Sequence, residues 1–354
     1  MNTKSGCLWN VSLLLLWFSC DCSVEGFSFS SSNTIVSLNR HCYSTMNGRD
    51  GSLSMSLQEF AARDLVIDLI GEAGCFNSME GIQKLVNACE SGVVYEDGME
   101  AVPIVGKSNV ANFLSSSSTK HRRRLDKVSD GTTACGYTWT WITDNEEGLR
   151  GTTFVQLNPQ SGLIQYICEL FEPVVKPGDA IVDLLKTVTQ DYVADEEKEE
   201  TKFAIRTPTK ASDIASYMFQ EVQVQNVTDV VRFYSPDIVY QDFNYPKAFR
   251  GVEEAKEFLE KFISIQGIDF IPIQFDDGQT STCFTWKIQV MDAPDSILGI
   301  SFYETNEDGK ISFIRDIAES AIKPPILGSI ARKLRPQLGV FSPLPLGSRL
   351  FGIS

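Results

Sequence analysis

Two short stretches carry residues that could do chemistry together. In "VYQD" (239–242), Tyr240 and Asp242 stand two apart. On a strand that spacing aims a phenol and a carboxylate at the same side of the sheet. Tyr95 and Asp97 repeat it in "VYED". In "ISFIRDIA" (311–318), Arg315 shares a face with Ile311, Phe313 and Ile317. A guanidinium among apolar side chains needs a carboxylate, a ligand or a route to water. Asp242 and Asp316 are its candidate partners. The set Asp242, Arg315 and Asp316 would suit polarising a carbonyl, activating water or moving a proton. The plainer reading makes Arg315 a strand-end arginine reaching solvent beside Asp316, and Asp242 a turn or cap residue. Around them, Tyr240, Phe284, Trp286, Phe302 and Tyr303 are expected either as core or as the lining of an apolar pocket.

Other chemistries lack their parts. The chain has only two histidines: His41 lies in the leader, and His121 stands in "KHRRRLDK". A histidine-centred triad or a His-rich metal site is therefore not expected. No glycine-rich phosphate motif opens a helix after a strand, so no cofactor is expected. The nine cysteines show no CxxC spacing, which suits buried thiols in a reducing compartment. A formal charge of −15 over 354 residues argues against general nucleic-acid binding. The run "SSSSTKHRRR" (115–124) reads as a phosphoregulated or anion-binding loop, or more simply as a connector feeding an exposed strand.

The elements that must position these residues occur twice. "ISFYETNEDGKISFIRDIAES" (300–320) matches "TTFVQLNPQSGLIQYICELFE" (152–172), with Phe302 against Phe154, Gly309 against Gly162, and Asp316/Glu319 against Glu169/Glu172. Upstream, Trp286 matches Trp139, Gly251 matches Gly106, and Phe258-Leu259 matches Phe113-Leu114. Matched blocks in the same order, more than one hundred residues apart, indicate two complete domains. Each reads as helix, short strand, helix, then three long strands. "GVEEAKEFLEKFISI" has helical spacing with acids in its first turn, whereas "TCFTWKIQV" alternates. Helices followed by a meander predict an α+β fold.

Helix, V-x-Y-x-D, a G-x-x-A-x-x-F-L helix, D-G, and the closing "DGKISFIRD" together resemble the SnoaL-like branch of the nuclear transport factor 2 fold. The resemblance implies two tandem cone-shaped units, each with N-terminal helices on a strongly curved mixed or antiparallel sheet. Residues 210–325 fit throughout. Residues 55–178 fit from Val93 onward, while "LQEFAARDLVIDLIGEAGCF" reads as displaced. Such folds include ketosteroid isomerases, polyketide cyclases, epoxide hydrolases and binding or assembly modules, so the fold alone does not fix an activity.

Around the two units, residues 1–54 read as a cleaved leader. An apolar run, "VSLLLLWFSC", precedes a Ser-rich, acid-poor stretch opening near Phe27. This resembles the two-part leader of an alga with complex plastids, which implies a chloroplast location; secretion is the alternative. Residues 179–209 read as a helix and an acidic linker. The tail, 326–354, is basic and proline-rich, and 324–340 is expected to touch an anionic membrane or an acidic protein. Three functions fit: binding a small apolar, carbonyl-bearing or isoprenoid-like molecule in the second cone; an isomerase, cyclase or hydrolase; or an assembly module. The two units are expected to pair with each other or in a homodimer.

Overall fold

The computed structural model describes residues 61–72, 74–116, 122–143, 146–190, 207–222, 226–290 and 296–319. The leader, most of the acidic linker and the tail lie outside the described residues. So do His41 and His121.

The first half runs α1 (Ala62–Val66, continued by a π-helical turn, Ile67–Glu72), α2 (Met79–Ala88), β1 (Cys89–Asp97), β2 (Ile104–Val105), α3 (Lys107–Ser116), β3 (Arg122–Val128), β4 (Ala134–Thr143), β5 (Glu146–Leu157) and β6 (Ile164–Phe171). After α4 (Asp179–Val188) the order recurs: α5 (Ala211–Ser216, continued by a π-helical turn, Tyr217–Glu221), α6 (Val227–Val231), β7 (Tyr234–Asp242), β8 (Phe249–Arg250), α7 (Gly251–Ile263), β9 (Ile268–Phe275), β10 (Ser281–Val290), β11 (Ser296–Thr305) and β12 (Ile311–Ala318). Each half forms a six-stranded mixed sheet of identical order, β2-β1-β6-β5-β4-β3 and β8-β7-β12-β11-β10-β9. One pair in each is parallel, β1 with β6 and β7 with β12. The fold class is α+β, as expected.

Local chemistry explains the elements. In α7, Glu253 and Glu254 occupy the first turn and Lys261 the last, complementing the helix dipole. Its Ala255, Phe258 and Leu259 form one buried stripe. Gly106 and Gly251, matched in sequence, both take positive φ (92° and 81°) where a short strand turns into a helix. The segment read as displaced is not displaced. Ala62 N–H bonds Thr132 C=O, and Ala211 N–H bonds Gln279 C=O, each at 2.8 Å, so α1 and α5 start at equivalent places. The π-helical turn that follows each helix breaks the 3.6-residue period, which masks the match.

One face of each sheet carries its helices, enclosing two separate apolar cores. The opposite faces meet. Ala134, Phe154, Cys168 and Leu170 of the first sheet pack with Phe243, Cys283, Ile300, Phe302 and Ile317 of the second. This is why Thr138 and Thr285, on the sides of β4 and β10 away from the helices, are fully buried. The seam is reciprocal. Asp130 accepts from the backbone N–H groups of Gln279, Thr280 and Ser281, while Asp277 accepts from those of Thr132 and Thr133. Equivalent residues exchange equivalent bonds, as in a two-fold dimer. At the centre Gly136 faces Cys283, and a Cβ on Gly136 would fall 2.0 Å from the Cβ of Cys283.

Candidate functional site

In the second cone, strand register brings Asp242 and Asp316 side by side on the helix-facing side of the parallel pair. Tyr240 OH donates to Asp316 Oδ2 at 2.5 Å. Ser301 Oγ donates to Asp316 Oδ1 at 2.6 Å and accepts from Trp286 Nε1 at 2.8 Å. Asp242 Oδ1 accepts from Asn244 N–H at 2.7 Å, which makes it a turn residue as well as a neighbour of Asp316. Phe284, Trp286, Tyr303 and Tyr240 lie in the apolar core around this group.

Among the described residues no cation bonds either carboxylate, although the charge of Lys176 acts on Asp242. Burial raises Asp316 to about 6, with the Ser301 and Tyr240 hydrogen bonds opposing the rise. Burial, and then the charge of Asp316, raises Asp242 to about 7. The two titrate as a pair, which takes up a proton as pH falls through about 7. Burial and the Asp316 charge hold the Tyr240 phenol well above its usual range, so it stays a donor.

Not every expected residue joins this group. Arg315 and Asp316 are consecutive on β12 and so project to opposite faces. Asp316 enters the cone, whereas Arg315 lies on the seam side, with its Nε donating to Gln241 Oε1 at 2.9 Å. The structure thus separates Arg315 from Asp242 and Asp316. Phe302 is likewise out of phase with its expected companions. Ser301 and Tyr303 face the cone, and Phe302 packs in the core between the sheets.

The first cone holds the same relay with an added cation. Trp139 Nε1 donates to Thr153 Oγ1 at 2.9 Å, Thr153 to Glu169 at 3.0 Å, and Tyr95 OH to Glu169 at 3.1 Å. Arg123 then grips both Glu169 oxygens, with Nη2 at 3.0 Å from Oε1. Its guanidinium also lies over the rings of Phe76, at 3.6 Å, and Trp139, at 4.2 Å. Arg123 pairs with Trp141, and Phe270 pairs with Ile288, at equivalent registers. The second cone therefore places a phenyl ring where the first has a guanidinium. Arg123 was hidden in "KHRRR", where alternation alone distinguishes it from exposed Arg122 and Arg124. Ser301 was missed too, although the hydroxyl at Thr153, the equivalent position, signals it.

The first cone encloses an apolar cavity of about 10 Å³, lined by Val66, Leu69, Phe76, Tyr137, Val155 and Ile167, with room for about one water. Among the described residues, no cluster of His, Cys, Asp and Glu could hold a metal ion. No helix among them is long and apolar enough to cross a membrane.

No protein-family model and no curated protein sequence matches the chain. Solved structures resemble it over one repeat's length. A candidate ketosteroid isomerase from Kribbella flavida shares 16% identity at a TM-score of 0.28, covering 32% of this chain and 82% of its own. A candidate SnoaL-like isomerase from Agrobacterium tumefaciens shares 16% identity at 0.27, covering 32% of this chain and all (100%) of its own. A candidate polyketide cyclase from Sinorhizobium meliloti shares 14% identity at 0.26, covering 30% and 94%. Likeness at that level says nothing about the substrate of this chain.

Proposed function

We propose that the second cone binds a small, largely apolar molecule through one polar point, a carbonyl or hydroxyl oxygen set against Asp316 and Tyr240. The observation that carries the reading is the contrast at one position. Phe270 replaces the cation that neutralises the first cone's carboxylate, while the tyrosine, hydroxyl and tryptophan relay is kept. A buried carboxyl without a cation is costly unless it is protonated or bonded. The aromatic surroundings suit a ring-bearing or isoprenoid-like ligand. A second reading, proton transfer next to a carbonyl, is favoured by a carboxyl pair that gives and takes a proton near neutral pH.

Native mass spectrometry of the protein taken from its own cells tests this. Wild type is expected to carry an additional small mass, which Asp316→Asn loses and Lys84→Gln keeps. Bare wild-type polypeptide would overturn the reading and leave the paired cones as an assembly module. If Asp242→Asn retains the ligand but stops its conversion, the proton-transfer reading replaces simple binding. Plastid residence and cleavage of residues 1–54 are proposals too, tested by N-terminal sequencing of the native protein; a start at Met1 would reject both.

A further inference from the structure

The seam-side arginine is under-satisfied. A guanidinium has five N–H donors. Among the described residues, the single hydrogen bond of Arg315 is from Nε to Gln241. Nη1 is buried without a partner, and the residue is only 6% exposed. Burial and the nearby Arg150 lower its pKa to about 10, so at neutral pH it remains charged.

Two further cations converge on the same place. Arg150 Cζ, Lys176 Nζ and Arg315 Cζ lie 4.5, 5.0 and 5.2 Å from the centroid of the Phe243 ring. Among the described residues, one carboxylate bonds this cluster directly. Glu172 accepts from Arg150 Nε at 2.8 Å and Nη2 at 2.7 Å, and pairs with Lys176 at 2.5 Å. Both of its oxygens are thus engaged, and none reaches Arg315. Asp126, whose charge Arg315 also feels, is held by Thr140 and Arg124. Among the described residues three cations thus meet one directly bonded carboxylate, while Asp126, Glu147 and Asp242 act on them only through their charge, and the outer two cations are reachable. The side chains of Arg150 and Lys176 are 34% and 20% exposed, while Arg315 lies deeper.

The cluster is confined to one flank of the two-fold arrangement. By strand register, the counterpart of Arg315 is Cys168, and that of Arg150 is Leu298. The counterpart of Gln241, Glu96, accepts from Tyr166 OH at 2.5 Å. Pairing the sheets does not require these cations, because the other flank pairs without them.

We propose that Arg315, Arg150 and Lys176 form a binding site for a small oxyanion of phosphate or sulfate size, with Arg315 as its floor. An arginine fork meets such an anion with two parallel N–H···O bonds. The site lies on the opposite face of β12 from the cone and does not depend on the function proposed there.

Calorimetric titration of inorganic phosphate into the full chain, at fixed ionic strength and with chloride as control, tests the site. Wild type is expected to bind one phosphate saturably, and sulfate in competition with it. Arg315→Met should weaken binding at least about ten-fold, as losing a charged bidentate contact implies. Arg150→Gln should weaken it as well, which keeps the test open if Arg315→Met fails to fold. Lys84→Gln, on an exposed helix face, should bind as wild type does. Absence of saturable phosphate binding in wild type would overturn the proposal. So would unchanged binding in a folded Arg315→Met, which would leave only a screened surface charge.

Discussion

The two cones share strand order, a turn aspartate after the first long strand, and a tyrosine–carboxylate–hydroxyl–tryptophan relay. They differ in the residue that faces the carboxylate from the outer strand. In the first cone Arg123 closes a buried ion pair with Glu169. In the second, Phe270 instead packs on Phe219 and Trp286, with centroids 4.8 and 4.5 Å apart. One half has thus fixed its buried charge with a permanent partner, and the other keeps a carboxyl pair able to change protonation. The same scaffold holds a locked polar centre in one half and a titratable one in the other.

The sharpest way to break the comparison is to unlock the first cone. Arg123→Met removes the guanidinium that pairs with buried Glu169, and loss of one member of such a pair costs about 3–5 kcal/mol. Equilibrium denaturation should show a loss of that order in Arg123→Met. A loss below about 1 kcal/mol would mean that the pair is not sequestered from water.

The second cone should respond to pH instead. Its carboxyls have folded-state pKa values above their unfolded ones, so the folded chain binds more protons over the interval between them. Their contribution is therefore complete below the unfolded value near 4 and declines as pH rises towards about 6 for Asp316 and 7 for Asp242. For Asp316 the decline amounts to about 3 kcal/mol over that window. Denaturation midpoints measured from pH 4 to 7 should fall more steeply in wild type than in Asp316→Asn. Parallel curves for the two proteins would contradict this.

A smaller effect tests the seam that joins the halves. Gly136→Ala places a methyl against Cys283, and overpacking of this kind costs about 1–3 kcal/mol. Adding Cys283→Gly clears the space, so the double variant should recover part of the loss. Additive losses would show that the two strands do not meet there as described.

Much of this was legible in the residues. The duplication, the α+β class and the Tyr240/Asp242 geometry followed from spacing. What escaped was facing. Arg315 and Asp316 read as partners because they are neighbours in the chain, yet the period of two on a strand sends neighbours to opposite sides. Phe302 reads as core or pocket lining together with Phe284 and Trp286; it is core, but of the seam, because a second sheet covers the side of β11 that would otherwise meet water. Arg123 was obscured by identical residues before and after it. Its inward aim comes from the pairing of β3 with β4, which is a tertiary fact.

The most direct test of the contrast is a carbon-13 NMR titration of the aspartate side-chain carboxyls in wild type and in Phe270→Arg. In wild type the Asp242/Asp316 pair should titrate with apparent midpoints of about 6 and 7. Phe270→Arg, which supplies the cation the first cone already has, should pull the Asp316 transition down towards the ordinary carboxylate range near 4. A wild-type Asp316 that already titrates near 4 would contradict the account, because the second cone's carboxylate would then be as settled as the first's.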